Sequence, residues 1–211
     1  MSAGLGPGFH APAGGSVDID GYEGSVIHWS RLFVPSVLAA ADVSAGDVLL
    51  DVSTGTGEAA AAALGVVGPT GRVVGVDIAP AMAAAARTRL RAPTFLPVAG
   101  DGMALPFGAR RFDSVVCQLG LRFFPDPSRG LGEFRRVLRP AAAGGCVIST
   151  PDKAPMWGIV SDELSRVMPA QRHVLQLSFA LSDPAQLAAM FQDAGFTRVD
   201  VQRVTKEDAV T

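Results

Sequence analysis

The chain has 211 residues, of which 48% are hydrophobic and 18% are charged, and its formal net charge is −2. This composition excludes an intrinsically disordered chain, because enough apolar surface is present to build a core. The small net charge excludes a broadly basic nucleic-acid-binding protein, though not a local basic patch, and we expect no nucleic-acid partner. No apolar run reaches about 18 residues, so we expect no membrane span.

The length fits one domain. Residues 1–16 are rich in Gly, Pro and Ala and predict a flexible N-terminal segment, which leaves residues 17–211 as a single domain. The first residues lack the basic and apolar regions of a signal peptide, so we expect a cytoplasmic protein. Cys117 and Cys146 are too few for a metal cluster by themselves, and no metal is expected.

The apolar pattern predicts alternating strands and helices. A first helix over Asp18–Asp42 is expected to be interrupted at Pro35. The pattern that follows is strand, helix, strand, helix, strand, strand, helix, strand, at Val48–Val52, Glu58–Val67, Arg72–Val76, Pro80–Arg91, Thr94–Ala99, Phe112–Cys117, Pro127–Leu138 and Gly145–Thr150. The last predicted elements are helices around Met156–Val167 and over Asp183–Ala194, and a sixth strand at Phe196–Val204.

This alternation predicts an α/β fold of the Rossmann-like, doubly wound kind, with a mostly parallel sheet and helices on both faces. The strands are short continuous apolar runs, as burial on both faces requires. Ligands of such sheets bind beyond the carboxyl ends of the strands, at the point where the strand order reverses. We therefore look for function just after Val52, Val76, Ala99 and Val116.

A glycine-rich loop follows the first predicted strand. Its residues Gly55 and Gly57 allow a sharp turn and a close approach of a ligand, and the next helix presents free N–H groups. Asp77, 20 residues beyond Gly57, is placed to accept both hydroxyls of a ribose. Because Gly55, Gly57 and Ala60 also fit the dinucleotide fingerprint, a nicotinamide-dependent oxidoreductase stays open as an alternative.

Four features of the sequence bear on whether this loop binds a dinucleotide or another ligand. Asp51 lies four residues before the first glycine, where a carboxylate would repel a pyrophosphate but suits an ammonium group. The others are the segments Gly100–Phe107 (GDGMALPF), Arg111–Gln118 (RFDSVVCQ) and Phe134–Pro140 (FRRVLRP). Together they resemble the class I S-adenosylmethionine-dependent methyltransferases, and within these the group that includes the ubiquinone/menaquinone-biosynthesis C-methyltransferases. The resemblance runs from about Tyr22 to Val204, and Gln118–Arg122 (QLGLR) also looks like the quinone enzymes.

The resemblance implies an enzyme that uses S-adenosyl-L-methionine to methylate a small organic acceptor by in-line displacement. The implied cofactor residues are Asp51 toward the amino group, Ser53, Gly55, Thr56 and Gly57 around the methionine part, Asp77 at the ribose, Ile78 and Met82 beside the adenine, Asp101 and Gly102 at the adenine edge, Met103 over its face, and Gln118 near the sulfonium. The catalytic base stays unknown among Tyr22, His28, Arg122 and His173. The sequence does not specify the oligomeric state.

The sequence departs from the family pattern in the glycine loop, in the turn Arg139–Gly145, which is longer than usual, and at the end of the sheet. Ser53 and Thr54 replace the Gly and Cys that the family loop commonly has. A Cβ at position 53 is compatible with the loop if φ is negative there, and we expect cofactor binding to survive. The family sheet usually has seven strands, but only Thr205–Thr211 follow the predicted sixth, so six are expected. A truncated, non-catalytic relative is therefore the third hypothesis. Residues 152–182 are expected to form a lid or acceptor region.

Overall fold

The computed structural model describes residue 19, residues 28–147, residue 163, residues 165–167 and residues 181–206. Within these residues, five strands form one parallel sheet that is flanked by helices. The elements are α1 (His28–Ala40), β1 (Val48–Val52), α2 (Glu58–Val67), β2 (Arg72–Asp77), α3 (Pro80–Leu90), β3 (Phe95–Ala99), β4 (Phe112–Gln118), a short 3-10 helix (Leu121–Phe123), α4 (Pro127–Val137), β5 (Leu138–Val147) and α5 (Pro184–Asp193).

The strand order is β3-β2-β1-β4-β5, and every pair is parallel. The chain moves outward from β1 to β3 and then crosses to the other side of β1, so the order reverses between β1 and β4. Asp51 of β1 lies in register with Gly75 of β2 and Val116 of β4, so the carboxyl ends of these strands share one edge. The predicted Rossmann-like fold is confirmed, and its switch point lies after β1 and β4.

Both faces of the sheet are buried because alternate residues of the apolar strands point to opposite sides. Leu49, Val73 and Val116 pack with α1, α2 and part of α3, whereas Leu50 and Val115 pack with α4 and α5. Double-sided burial explains why these strands carry continuous aliphatic runs instead of an alternating pattern.

Helix α1 continues through Pro35, and the predicted interruption there is wrong. A proline inside a helix removes one backbone hydrogen bond and costs about 3 kcal/mol. However, Val34, Val37 and Leu38 on either side of it are buried against the sheet. Burial of each such side chain contributes about 1.5–3 kcal/mol, so packing outweighs the local cost.

The carboxyl-terminal part of the prediction needs two corrections. Strand β5 begins at Leu138 instead of Gly145: Leu138 pairs with Phe112 of β4 and, after an irregularity in the register, residues 143–147 pair with residues 114–118. The predicted sixth strand over 196–204 is wrong: residues 196–206 form no strand ladder. Phe196 instead packs edge-to-face on Phe191 of α5, with ring centroids 5.2 Å apart, and the valines further along are partly exposed.

Strand β3 stands at one end of the strand order and contains a proline. Pro97 is in register with Gly75 of β2, and its carbonyl accepts a hydrogen bond from Arg87 Nη2 at 3.4 Å. The neighbouring Phe95 N–H donates to the Ala92 carbonyl at 3.1 Å.

The flexible segment predicted at 1–16 lies outside the described residues, as does most of the predicted lid at 152–182. The described positions 163 and 165–167 are helical, in line with the helix predicted around Met156–Val167. Among the described helices, none is both long and apolar enough to cross a membrane.

Candidate cofactor site

The glycine-rich loop joins β1 to α2 at the switch point of the sheet. Ser53, Gly55 and Gly57 have φ values of +59°, +56° and +88°, so the chain turns through left-handed conformations before α2 begins. The loop is fixed to the next strand because Thr54 N–H donates to the Val76 carbonyl at 3.0 Å. The loop therefore lies where a ligand of this fold binds.

The φ of Ser53 is positive, not the negative value that suits a residue with a Cβ, because the turn requires a left-handed residue at that position. Such a conformation costs a residue with a Cβ roughly 1–2 kcal/mol. The hydrogen bond made by the next residue, Thr54, offsets part of this cost.

Asp51 is almost completely buried, with 1% of its surface exposed. Burial raises the pKa of this carboxyl to about 7; the hydrogen bond from Thr54 Oγ1 at 2.7 Å opposes the rise, the negative charge of Asp77 adds to it, and the Ala60 N–H opposes it. A carboxylate without a cation is costly in such surroundings. A positively charged ligand group would therefore be stabilised here.

Asp77 ties the glycine loop to the end of β2. Its Oδ2 accepts from the Gly55 N–H and its Oδ1 from the Ala79 N–H, both at 2.9 Å. Burial raises the pKa of Asp77, and these two N–H groups oppose the rise. The neighbouring Ile78 is 42% exposed, whereas Met82 is 2% exposed and belongs to the interior. Of the two residues predicted to flank an adenine, the structure brings only Ile78 to the surface.

The loop after β3 lies beside this edge. Gly100 N–H donates to the Asp77 carbonyl at 2.9 Å, which places Asp101 and Met103 near the end of β2. Asp101 Oδ1 accepts from the Met103 N–H at 2.8 Å, so the carboxylate shapes its own loop. Met103 is half-buried, and Gly102 between them is buried. Sequence reasoning therefore brought together residues that the fold also brings together.

Gln118 and Ser30 form a contact that sequence reasoning missed. Gln118 Nε2 donates to the Ser30 carbonyl at 2.5 Å and to Ser30 Oγ at 2.9 Å. Because a carbonyl only accepts, the amide nitrogen must face Ser30, and Oε1 points away from it. One signal existed: Ser30 stands four residues before the buried Val34, so it lies on the packed face of α1.

A narrow cavity separates α1 from the glycine loop. It is lined by Ser30, Asp51, Ser53, Thr54, Thr56, Glu58, Ala59 and Gln118. Two buried polar atoms of its wall, Thr56 Oγ1 and Gln118 Oε1, have no hydrogen-bond partner among the described residues. Buried polar atoms are rarely left without partners, so such atoms in a cavity wall indicate a polar ligand.

Glu58 closes one side of this cavity through two ion pairs. Its carboxylate meets Arg31 Nε of α1 at 2.6 Å and Arg89 Nη2 of α3 at 2.5 Å. Arg89 Nη1 also donates to the Thr56 carbonyl at 3.1 Å. Although burial opposes the change, the hydrogen bonds from both arginines lower the pKa of Glu58. Three helices are thus linked at the rim of the cavity.

Of the four candidates for the catalytic base, only Arg122 has a described side chain. Arg122 follows β4, and its guanidinium carbon lies 4.8 Å from the centre of the Phe123 ring. Tyr22, His173 and the side chain of His28 lie outside the described residues.

The polar groups of the cavity complement an amino-acid zwitterion. Thr56 Oγ1 can donate to a carboxylate, while Gln118 Oε1 and Asp51 can accept from an ammonium group. The first turn of α2 adds backbone N–H groups that also favour a carboxylate. A pyrophosphate would bring only negative charge toward the buried Asp51. The cavity therefore fits the methionine end of S-adenosylmethionine better than a dinucleotide.

The sheet order and the loop at its switch point are those of the class I S-adenosylmethionine-dependent methyltransferases. Comparison with known proteins narrows this class. The chain belongs to the ubiE/COQ5 methyltransferase family, whose model matches residues 26–210.

Individual relatives agree with this assignment. The demethylmenaquinone methyltransferase of Staphylococcus carnosus is 30% identical over 182 residues, which cover 80% of this chain and 76% of that protein. The enzyme of the same name from Staphylococcus aureus strain JH9 is also 30% identical, over 77% of this chain and 73% of that protein.

Solved structures share the fold at lower identity. A SAM-dependent methyltransferase from Aquifex aeolicus has a TM-score of 0.63 at 17% identity, covering 85% of this chain and 89% of its own.

An arsenic(III) S-adenosylmethionine methyltransferase from Chlamydomonas reinhardtii has a TM-score of 0.56 at 23% identity, and the match covers 78% of this chain and 62% of that one. The protein is thus an S-adenosylmethionine-dependent methyltransferase that acts on a small molecule. The nicotinamide-dependent oxidoreductase that the glycine fingerprint left open finds no support in these comparisons.

Proposed function

We propose that the residues at the carboxyl ends of β1, β2, β3 and β4 bind S-adenosylmethionine along this edge. The methionine part would lie at the glycine loop, with Thr56 Oγ1 and Gln118 Oε1 as its polar partners. Asp77 would accept the ribose hydroxyls through the lone pairs that its two backbone bonds leave free. The remaining positions are Asp101, Gly102 and Met103 at the adenine, beside the exposed Ile78.

When bound, the cofactor supplies a methyl group that its positively charged sulfur has already activated. The protein's part is to position the reactants and to exclude water. The buried Asp51 suits this part because it holds a carboxyl group away from water, and the ion pairs of Glu58 fix the rim of the cavity in place. Ser30 holds the Gln118 amide in one orientation, so that Gln118 Oε1 points away from Ser30.

We further propose that the acceptor is a hydroquinone of the demethylmenaquinone type, methylated on a ring carbon. The observation that carries this proposal is the 30% identity to the Staphylococcus carnosus demethylmenaquinone methyltransferase across 76% of that protein. The chemistry is consistent: loss of a hydroxyl proton would make the ring electron-rich, and a ring carbon would take the methyl group as the methyl–sulfur bond breaks and S-adenosylhomocysteine leaves. The same carbon would then lose its proton, which restores the aromatic ring.

Cofactor binding is tested by calorimetric titration with S-adenosylhomocysteine. We expect saturable binding by the parent protein and a loss of at least about tenfold in Asp77→Ala, because Asp77 both shapes the loop and meets the ribose. Asp193→Asn, which changes an exposed acid on α5, is the matched control and should bind like the parent. Absence of binding by the parent, or an unchanged Asp77→Ala, would contradict the assignment.

The acceptor is tested with isotope-labelled S-adenosylmethionine and a short-chain demethylmenaquinone analogue, supplied once reduced and once oxidised. We expect label on a ring carbon of the reduced form only, identified by mass spectrometry and NMR. A simple phenol and a catechol serve as competing acceptors. Methylation of their oxygen atoms without any ring-carbon product from the hydroquinone would overturn the proposed acceptor.

A further inference from the structure

Ser53 of the glycine loop packs directly onto Gly120, which follows β4. A Cβ at position 120 would lie well under 3.0 Å from both the Cβ and the Oγ of Ser53, and 3.1 Å from Cys117 Sγ. Real Cβ atoms essentially never approach neighbours to less than 3.0 Å. The side chain of Ser53 therefore occupies the space that a side chain at position 120 would need.

This contact joins the two segments that carry the site. Ser53 begins the loop that holds Thr56, and Gly120 stands two residues after Gln118. Ser53, Thr56 and Gln118 all line the same narrow cavity. The separation of the two segments thus influences the distance between Thr56 Oγ1 and Gln118 Oε1, the two polar atoms of the cavity wall that lack a partner among the described residues.

Ser53 cannot easily yield at this contact. Its backbone is left-handed, and the following Thr54 is bonded to both Val76 and Asp51. One of the two atoms nearest to a Cβ at position 120 is the Ser53 Cβ, which can move only if the Ser53 backbone moves. An added methyl group at 120 would consequently push the loop and the β4 segment apart.

We propose that Ser53 and Gly120 form a positioning pair that sets the spacing between the glycine loop and the segment carrying Gln118. The inference rests on the proposed cofactor site and names two residues that position its groups without forming its hydrogen bonds. Displacements of about 1 Å near a reacting centre can cost about 10²-fold, so a small separation of these segments has a measurable effect.

Five variants test the pair: Gly120→Ala, Ser53→Gly, the double variant S53G/G120A, the double variant S53A/G120A, and Gly132→Ala. S53A keeps the Cβ that meets position 120, whereas S53G removes it. Gly132 of α4 has open space around its Cβ position, so Gly132→Ala is the matched control for adding a methyl group. Each protein is titrated with S-adenosylhomocysteine by calorimetry, and its Tm is measured by circular dichroism.

We expect Gly120→Ala to bind at least about tenfold more weakly than the parent, and S53G/G120A to bind within about threefold of Ser53→Gly. S53A/G120A should stay as weak as Gly120→Ala, and Gly132→Ala should bind like the parent. If Gly120→Ala does not fold, the comparison of the two double variants carries the same test. Normal binding by Gly120→Ala, equal rescue by S53A and S53G, or strictly additive effects would overturn the proposal.

Failure of the proposed function has a different signature. If the parent protein does not bind S-adenosylhomocysteine, the cofactor assignment fails, while the Tm values of the same variants still report whether Ser53 and Gly120 are coupled. If the double-mutant cycle of Tm values shows no coupling between Ser53 and Gly120, the positioning pair is overturned whether or not the cofactor binds.

Discussion

Binding of S-adenosylhomocysteine should weaken about tenfold when the pH is lowered from 8 to 6, because of the buried Asp51. This carboxyl has a pKa raised to about 7 by its burial. It is then roughly 0.9 ionised at pH 8 and roughly 0.09 ionised at pH 6. If the ligand's ammonium group requires the ionised form, the apparent affinity follows this fraction.

The stability of the ligand-free protein should change in the opposite direction. The pKa of Asp51 is higher in the folded chain than its ordinary value of 3.8, so the folded state binds this proton more tightly. The carboxyl's contribution to the free energy of unfolding therefore falls as the pH rises from about 4 to about 7. A difference of about 3 pKa units corresponds to about 4 kcal/mol. Asp51→Asn keeps an acceptor for Thr54, and it should raise Tm relative to the parent at pH 8 but not at pH 4.

Calorimetry at pH 6, 7 and 8, in two buffers of different ionisation enthalpy, measures both the affinity and the protons released on binding. The parent should release a proton below pH 7, and Asp51→Asn should lose most of the slope. Asp193→Asn is the control for removing an exposed acid. Equal dissociation constants at pH 6 and 8, or the full slope persisting in Asp51→Asn, would refute the role given to this carboxyl.

Four other variants follow from individual contacts. Asp77→Ala leaves two backbone N–H groups without an acceptor and should lower the free energy of unfolding by about 2 kcal/mol in urea at pH 7; no change would contradict the loop contacts. Gln118→Leu loses both donations to Ser30 and should cost about 1–2 kcal/mol, together with weaker S-adenosylhomocysteine binding; unchanged calorimetry would exclude Gln118 from the site. Glu58→Gln should lower the free energy of unfolding by only about 0.5–1 kcal/mol, since its ion pairs are partly exposed, and this difference from the parent should shrink in 1 M salt. A difference that stays the same in 1 M salt would contradict the ion pairs. Gly57→Ala adds a Cβ at φ +88° and should cost about 1–2 kcal/mol by thermal unfolding, and an equal Tm would argue against the left-handed turn.

The elements that the sequence predicts best are those with local signals. Strand β1 and helix α2 have the predicted bounds, because an aliphatic run and an alanine-rich run are separated by glycines and end at Gly68. Strand β5 was placed too late, since nothing local in its Ala- and Gly-rich start favours a strand. The strand begins where Leu138 pairs with Phe112 of β4, and that pairing is not local.

The same distinction applies to the site. The sequence predicts that Asp51, Asp77 and Asp101 lie along one edge, because each is at or just after the carboxyl end of a strand and the strands are parallel. Ser30 could not be placed in this way, because its contact with Gln118 depends on how α1 crosses the sheet, 88 residues away in sequence. The left-handed conformation of Ser53 is likewise not specified by local sequence, since the residue that leaves room for its side chain follows β4.

The outer edge of β3 has a consequence for how copies of this chain meet one another. A strand can be extended by a further strand only if its backbone offers donors and acceptors in sequence. At this edge Phe95 N–H is already bonded to Ala92, Pro97 has no N–H to give, and the Pro97 carbonyl accepts from Arg87. The edge is thus protected against strand addition by Pro97, by Arg87 of α3 and by the turn that contains Ala92. At high concentration, edge-to-edge polymerisation through β3 is therefore disfavoured without any charge being placed in the strand itself.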